Sequence, residues 1–525
     1  MIPQTVLLGL LLIALFGGIL SGVPVAFVLM GVPMIIGMLG AAVGSFDMAF
    51  IDAFPSRVFG LVTSPILVSV PLFVLMGAML ERSDIAKRMM LTAGALFGNL
   101  HGGMALAVIV VGALLAASTG VIGATILMLG MIALPAMLSA DYSPRLSAGI
   151  ICASGSLGQI IPPSILLILL ADQISSAYMT GRRMAGDWAP DPVSVGDLFA
   201  AALIPGLMLI LLYILYVLFM AWWKPETCPP IKLNIDQIEG NQEGGPVWRS
   251  VVSSLLVPLG LIVLVLGSIL GGVATPTESA ALGACGTLLI IAYNNAARGS
   301  LVRRVYQVTG AAAFALVLVK LGDGINLSEP TPMTWIAMLA LLVLISGLLV
   351  ATVQEMKGGD LFAVCKSSAL MVSMLLLIVV GATMLSLVFR GLGGEELVHH
   401  ALTNIPGGMF AALLSVMLVI FVLGFVIEYV EIIFIVVPIA APPLFAAGID
   451  PIWLAVLITM NLQMSFLTPP FGFALFYLRN VAPPSLTTKE IYASIVPFVG
   501  IQLFALSMVA AFPALATWLP KVMYN

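Results

Sequence analysis

GSLGQIIPPS at residues 155–164 and NLQMSFLTPPFG at residues 461–472 each contain a Pro-Pro doublet inside a long apolar run. Proline removes a backbone donor and its ring clashes with the preceding helical turn, so Ile160 and Ile161 are predicted to leave helical geometry. Backbone carbonyls freed by such a break persist inside a lipid bilayer only where protein, water or an ion satisfies them. The two stretches therefore predict two broken helices whose backbone oxygens can bind a ligand.

The composition places these breaks in a membrane protein. Of the 525 residues, 61% are hydrophobic and only 8% are charged, whereas an ordinary soluble domain is about 25% charged. Apolar runs of about 20 residues, the length that crosses the hydrocarbon layer, recur throughout the chain. The formal net charge of −4 offers no basic face for phosphates, so nucleic acid is not an expected partner. We predict an all-α polytopic membrane protein in contact with a lipid bilayer.

The spacing of prolines indicates an internal duplication. Pro135, Pro144, Pro162 and Pro163 recur 307 residues later as Pro442, Pro451, Pro469 and Pro470. Nearer the start of each half, Pro24 and Pro276 differ by 252, so the second half carries about 55 extra residues. Duplicated apolar segments with Gly and Pro interruptions indicate a secondary transporter with an inverted repeat and a binding site near the membrane midplane.

The least apolar stretch lies near the middle of the chain and divides the two halves. We predict a first repeat at residues 1–223, a polar linker at 224–250 and a second repeat at 251–525, with extra helices at about 296–352.

Oxygen-bearing side chains accompany both breaks. Ser118 and Thr119 precede the first one, and hydroxyls together with free carbonyls suit a hard cation such as sodium. In the second half, Glu428 and Glu431 are three residues apart and share one helical face. An acid costs roughly 2.5 to 3.5 kcal/mol at membrane depth unless it is paired or hydrated. A cation is a simple partner for the two glutamates.

Plainer interpretations stand beside these. Ser and Thr hydroxyls commonly bond to carbonyls of their own helix or join neighbouring helices. The two glutamates can lie at headgroup level and face water, and the Pro-Pro doublets can be simple kinks.

Motifs of other protein classes are absent from the sequence. It contains no HExxH or GxSxG, so an enzyme is not expected. It contains no Walker A sequence GxxxxGK[ST], so ATP hydrolysis would need another subunit. A channel needs a continuous pore, whereas duplicated breaks favour alternating access.

Five stretches share a family pattern that runs through nearly the whole chain. They are AASTGVIGAT (116–125), ASGSLGQIIPPSI (153–165), GGVATPTESAALGA (271–284), residues 428–438 and LTPPFG (467–472). With them the sequence resembles the large membrane (M) subunit of the TRAP transporters, the tripartite ATP-independent periplasmic transporters, in the branch with the larger form of that subunit.

The resemblance implies a sodium-driven importer of the ion-transporter superfamily that works by an elevator mechanism. Two helical hairpins (114–136 and 424–444) and two broken helices (146–173 and 452–480) would form a transport domain that moves against a scaffold. A periplasmic substrate-binding protein would deliver a small organic anion, often a carboxylate, and a small four-helix membrane subunit would complete the scaffold. The expected location is the inner (cytoplasmic) membrane of a bacterium or archaeon. The main alternative is a stand-alone sodium/anion symporter of the same superfamily, which works without a binding protein.

Residue by residue, the resemblance also implies sodium-site residues, to which the shared helical face of the two glutamates adds Glu431, and substrate-site residues are expected beside them. The expected sodium-site residues are Ser118, Thr119, Gly120, Gly155, Gln159, Ile160, Pro162, Glu428, Glu431, Met464, Ser465 and Thr468. The expected substrate-site residues are Thr125, Ser154, Ser164, Asn461 and Gln463. The sequence departs from the family's commoner pattern, since Glu428 stands where Asp is frequent, Glu431 is an added acid and Ser465 replaces a usual Gly. No particular substrate is therefore carried over from the family.

Overall fold

The protein is helical throughout the part that the structure describes. The computed structural model describes residues 4–231, 252–297, 300–321, 332–469 and 472–524. Over these ranges it contains no strand, and eight helices are long and apolar enough to cross a membrane. The prediction of an all-α polytopic membrane protein is confirmed. Most of the predicted polar linker, at residues 232–250, lies outside the described residues, and the repeat boundaries stay predictions.

The first half contains eleven helices within its described residues. They are α1 (Gln4–Leu20), α2 (Val25–Ala42), α3 (Ala49–Asp52), α4 (Phe54–Val62), α5 (Pro65–Arg82), α6 (Asp84–Phe97), α7 (Gly103–Thr119), α8 (Ile122–Ser139), α9 (Pro144–Ser156), α10 (Ile165–Met184) and α11 (Val195–Trp223).

The described part of the second half opens with a π-helical turn at Val252–Leu256. The helices that follow are α12 (Val257–Leu270), α13 (Pro276–Asn295), α14 (Leu301–Leu321), α15 (Pro332–Gly358), α16 (Asp360–Gly391), α17 (Gly394–Thr403), α18 (Gly408–Leu423), α19 (Tyr429–Ala446), α20 (Pro451–Leu467), α21 (Phe473–Val481), α22 (Thr488–Ala511) and α23 (Ala514–Tyr524).

The TPTE sequence at the start of α13 is a helix cap. Thr275 Oγ1 accepts a hydrogen bond from the Glu278 N–H at 3.3 Å, and Glu278 Oε2 accepts one from the Thr275 N–H at 2.8 Å. This capping box satisfies two backbone donors that a helix start leaves free, and proline fits the first turn because its missing N–H is not needed there. Thr277 Oγ1 donates to Pro65 O at 2.7 Å and so fastens α13 to the start of α5. Glu278 is therefore explained by helix capping.

Helix contacts recur between the two halves. The α7–α8 hairpin is followed by the broken pair α9 and α10, and the α18–α19 hairpin by the broken pair α20 and α21. Helix α19 packs along α10, and α8 packs along α21, so the second helix of each hairpin contacts the broken helix of the other half. Both halves are therefore needed to assemble the region around either break.

The segment predicted to hold extra helices forms α14 and α15. These two helices pack against each other, and α15 exposes large apolar side chains, including Leu339 and Leu342 at 65% each. Such a surface suits contact with lipid or with another membrane subunit. Residues 298–299 and 322–331 lie outside the described residues.

Candidate functional site

The first Pro-Pro doublet lies at a complete break between α9 and α10. A 3₁₀ turn, Leu157–Gln159, follows α9, and the helix resumes only at Ile165. Ile160 and Ile161 lie outside the helices. Ser164 Oγ donates to Gln159 O at 2.9 Å, in an environment closed to solvent. The break is therefore a buried feature of the protein interior.

The second doublet lies at the corresponding break between α20 and α21. Helix α20 ends at Leu467 and α21 begins at Phe473. Residues 470–471, which include the second proline of this doublet, lie outside the described residues. Neither doublet is a kink in a continuous helix.

The tip of the α7–α8 hairpin lies over the first break. Gly120 has a φ of 62°, and a Cβ added there would lie 3.2 Å from the Ile165 backbone nitrogen. A Cβ on Gly158 would lie 3.0 Å from Ala116 O, and one on Gly155 would collide with Ile126 of α8. Small residues therefore let the hairpin contact the break along its backbone, as glycine does between membrane helices. The Thr119 side chain lies outside the described residues.

The α18–α19 hairpin also contacts the second break closely. At the first break the glycine of this contact, Gly158, belongs to the break, whereas at the second break the glycine belongs to the hairpin. Ser465 lies 307 residues after Gly158, so it occupies the corresponding position of the second half. A Cβ added to Gly424, where the second hairpin turns, would collide with Ser465 Oγ and lie 2.7 Å from Ser465 Cβ. The serine at the break is therefore accommodated by a glycine on the hairpin.

Two adjoining cavities form a cleft at the hairpin tips: the smaller lies between the two tips, and the larger lies between the second tip, α2 and α16. The smaller cavity, of about 160 Å³, is lined by Gly123 from the first tip and by Glu428 from the second. The larger, of about 550 Å³, also contains Glu428 in its lining and adds Glu431. Met374 of α16 and Phe473 of α21 line both cavities. We call the two cavities together the tip cleft.

The lining of the tip cleft is mostly apolar and aromatic, and its charged residues are Glu428 and Glu431. Phe466 packs edge to face with Phe473 at 5.6 Å and with Tyr429 at 6.4 Å between ring centroids. Glu431 is only 3% exposed, whereas Glu428 is partly exposed. No Lys or Arg is among the described residues that line the cleft. The cleft therefore favours a cation, and its described lining has no basic side chain that would repel one.

Several buried polar atoms near the breaks have no hydrogen-bond partner among the described residues. They are Ser154 Oγ, both polar atoms of the Gln159 side chain, Glu431 Oε2 and Gln463 Oε1. An unpartnered buried polar atom is costly, and a bound ion or water is one of its ordinary explanations. Four of these five atoms are oxygens, the ligand type that a hard cation prefers.

Most hydroxyls predicted to bind sodium donate to carbonyls of their own segment. Ser118 Oγ donates to Leu115 O at 2.8 Å. The same pattern holds for Ser465 with Leu462 O and for Thr468 with Met464 O, and the expected substrate residue Thr125 likewise bonds to Val121 O. The interpretation that these hydroxyls bond to carbonyls of their own helix is thus correct for the hydrogen bonds that they donate. Their oxygen lone pairs remain available to a cation, because donating a hydrogen bond does not use them.

The expected substrate residues do not line the tip cleft. Asn461 Nδ2 donates to Met417 O of α18 at 2.7 Å, and Gln463 Nε2 donates to Ser156 Oγ at 3.2 Å. Thr125, Ser154 and Ser164 are buried near the first hairpin and break and are likewise not in its lining. Of the expected sodium residues, Glu428 and Glu431 do line the cleft.

Gln463 and Ser156 join the two halves at equivalent positions. They are 307 residues apart, the spacing of the repeated prolines. Two equivalent residues can touch only where the halves meet. Tyr213, which also interacts with Ser156, accepts from Gln502 Nε2 at 2.9 Å, so the buried polar chain continues to α11 and α22.

Sequence reasoning did not find several of these residues. Tyr213 and Gln502 are polar residues within long apolar helices. That pattern can be seen in the sequence, but it does not indicate which residue each one contacts. Tyr429 and Phe466 lie beside the predicted tips and breaks, where aromatic residues gave no distinct motif. Met374 is brought to the cleft by α16 and has no local signal at all.

Replacing Ser156 by alanine tests the contact between the halves. It leaves the Gln463 amide without its partner, so we expect a stability loss of roughly 1 to 3 kcal/mol, seen as a lower melting temperature of the purified protein in detergent. Ser147→Ala on the same helix is the matched control, because buried Ser147 bonds only to its own helix at Ser143 O. Equal effects of the two substitutions would contradict a role for the contact between halves.

Comparisons with known proteins agree with one another. The sequence model of the family described as "Tripartite ATP-independent periplasmic transporter, DctM component" matches residues 12–320 and 299–515. The C4-dicarboxylate TRAP transporter large permease protein DctM of Vibrio cholerae is 27% identical over 98% of this chain and 97% of its own length. The ectoine TRAP transporter large permease protein TeaC of Halomonas elongata is 23% identical over 95% of this chain and 98% of its own.

A longer relative and a solved structure also match. The isethionate TRAP transporter permease protein DctMQ of Oleidesulfovibrio alaskensis is 25% identical over 95% of this chain, which covers 65% of that protein. The crystal structure of the Alcanivorax borkumensis YdaH transporter is 14% identical, with a TM-score of 0.48 over 90% of this chain and 88% of that one.

Proposed function

The chain belongs to the DctM component family of the tripartite ATP-independent periplasmic transporters, and we propose that it couples the entry of sodium to the uptake of a small organic anion. The tip cleft between the two hairpins is the proposed substrate site. The sodium ions bind between each hairpin tip and the break beneath it.

One observation carries this proposal: the tip cleft contains two acids and no basic side chain among its described residues. At an effective dielectric of about 20, two like charges about 5 Å apart repel by about 3 kcal/mol. When both glutamates are ionised, an organic anion next to Glu428 and Glu431 is therefore repelled unless cations enter with it. Sodium at the tips removes this repulsion and makes uptake depend on sodium.

The breaks supply ligands of the right kind. Gln159 Oε1 and Ser154 Oγ near the first break, with Gln463 Oε1 near the second, are buried oxygens without a hydrogen-bond partner among the described residues. Ser118 and Gly120 at the first tip, and Thr468 at the second break, add hydroxyl and backbone oxygens close by. Oxygen ligands from such groups suit sodium and need no thiol or imidazole.

The hairpins and broken helices would move together as the elevator, and α16 would be part of the scaffold that they move against. The substrate would arrive on a separate periplasmic binding protein, and a small membrane subunit would cover part of the scaffold. This chain covers 65% of the longer DctMQ relative, and the rest of that relative is a candidate for such a second component in the same polypeptide.

Uptake into liposomes tests the proposal. The substrate is first identified by thermal-shift screening of organic acids on the cognate binding protein, and the purified membrane subunits are then reconstituted. We expect the substrate to accumulate only with an inward sodium gradient and with the binding protein present, and not when potassium or choline replaces sodium. Accumulation that persists without the gradient would contradict sodium coupling, and accumulation without the binding protein would support the stand-alone symporter.

A further inference from the structure

A third cavity, of about 400 Å³, lies along the same interface as the tip cleft and has the opposite charge character. Arg57 of α4 and Arg390 of α16 line it from one side, and Phe434 and Pro438 of α19 line it from another. Asp172 of α10 also lines it. We call this cavity the arginine chamber.

The arginine chamber continues the groove that begins at the tip cleft. On α16, Leu375 lines the cleft, whereas Thr383, Ser386 and Arg390 line the chamber. At about 1.5 Å per residue, the helix from Leu375 to Arg390 is about 22 Å long. On α19, Glu431 lines the cleft, and Phe434 and Pro438, which follow it along the helix, line the chamber. Along both α16 and α19, the residues that line the cleft therefore come before those that line the chamber.

The charges reverse along this groove. The described lining of the cleft contains two carboxylates and no basic side chain, whereas that of the chamber contains two guanidinium groups and one carboxylate, Asp172. Gln173 Nε2 donates to Asp172 at 2.9 Å. Among the described residues no carboxylate lies within ion-pair distance of Arg57. The lining of the chamber therefore carries a net positive charge.

Arg390 remains able to bind a passing anion. Its Nε lies 3.0 Å from Glu395 Oε2, and the two side chains are 45% and 41% exposed. Exposed ion pairs of this kind are weak and exchange readily. The guanidinium also has more N–H donors than this single contact uses, and its planar fork matches a carboxylate. The Arg390 side chain is half-exposed at the edge of the chamber.

We propose that the arginine chamber is an anion-binding station on the substrate's route between the tip cleft and the aqueous phase, and that it takes small carboxylate or sulfonate anions. This inference rests on the proposed uptake of an organic anion. The two arginines raise the local concentration of the anion at one end of the groove, as charge-lined clefts do for charged substrates. Ser386, one turn before Arg390 on α16, supplies a hydroxyl donor to the chamber.

Charge-selective labelling of cysteines tests the chamber directly. Cys285 and Cys365, the two exposed native cysteines, are first replaced by serine in the full chain, and Ser386→Cys is added. The protein, purified in detergent with its small subunit, is treated with sulfonatoethyl or trimethylammonioethyl methanethiosulfonate, which are similar in size and opposite in charge. Rates are divided by those of free mercaptoethanol, so that intrinsic reactivity cancels.

We expect the thiol introduced by Ser386→Cys to prefer the anionic reagent by about tenfold, at the lower end of what charge-lined clefts give, and to lose this preference in Arg57→Gln/Arg390→Gln. Ser373→Cys is the matched control, since Ser373 is on the same helix but lines the acidic cleft; it should prefer the cationic reagent. An anionic preference that is absent, or that survives removal of both arginines, would overturn the proposal. So would failure of both reagents to reach the thiol in the chamber.

The labelling uses no substrate, sodium or binding protein. A failed uptake experiment would therefore leave a positive labelling result intact, and a failed labelling result would leave sodium-coupled uptake intact.

Discussion

Gly424→Ala is expected to reduce uptake by at least about tenfold, and Ser465→Gly in the same chain is expected to restore it. The added methyl group would overlap Ser465 Oγ and lie 2.7 Å from Ser465 Cβ. Overpacking of this kind costs about 1 to 3 kcal/mol, and a shift of the hairpin would also displace its tip from the break. Gly424 has an ordinary φ of −62°, so the backbone itself tolerates alanine. The measurement is initial uptake rate in liposomes.

The rescue makes this prediction specific. Ser465→Gly restores the residue that the first half has at the equivalent position, Gly158, and removes the side chain that the methyl group of Gly424→Ala would overlap. Gly267→Ala on α12 is the matched control, because a Cβ there meets nothing within 4 Å. If the double variant is as impaired as Gly424→Ala, the contact between the hairpin and the break does not explain the loss.

Glu428→Gln is expected to lower the apparent affinity for sodium by about 10- to 100-fold. A hydrogen bond or ion contact to a charged group contributes about 1.5 to 3 kcal/mol, and each 1.4 kcal/mol corresponds to about tenfold in affinity. The amide keeps the shape of the side chain but removes the charge next to the proposed ion. The measurement is uptake rate against sodium concentration at fixed substrate.

Two further variants complete that experiment. Glu428→Asp retains the charge and should retain sodium dependence, and Glu396→Gln makes the same chemical change at an exposed position of α17. An unchanged sodium dependence in Glu428→Gln would remove Glu428 from the sodium site. An equal loss in Glu396→Gln would show that the effect is not local.

Local chemistry explains why much of the fold was predictable. The Pro-Pro doublets at residues 162–163 and 469–470 predicted the interruptions after Gln159 and Leu467 because proline removes a backbone donor and clashes with the preceding turn, whereas Pro442-Pro443 lies inside the continuous helix α19. The scarcity of charge similarly predicts helices in lipid, and the family comparisons agree with a multi-pass protein of the bacterial inner membrane. The duplicated prolines also anticipated helices that repeat in order.

The candidate site was less predictable because it depends on which distant helices meet. Asn461 and Gln463 were expected to contact substrate, yet each amide bonds to another part of the protein. Met374 reaches the tip cleft from α16, about fifty residues before the second hairpin tip and far from the first, and no local pattern distinguishes it. One long-range contact does correspond to a pattern in the sequence. Gln463 and Ser156, which bond to each other, are separated by the repeat spacing of 307 residues.

Direct binding of radiolabelled sodium to the purified protein, without substrate or binding protein, tests most directly whether the two hairpins and breaks hold sodium. We predict saturable binding that unlabelled sodium displaces and potassium does not, that is strongly weakened in Glu428→Gln and that is unchanged in Glu396→Gln. Absence of saturable binding, or binding of equal strength in both variants, would contradict the account.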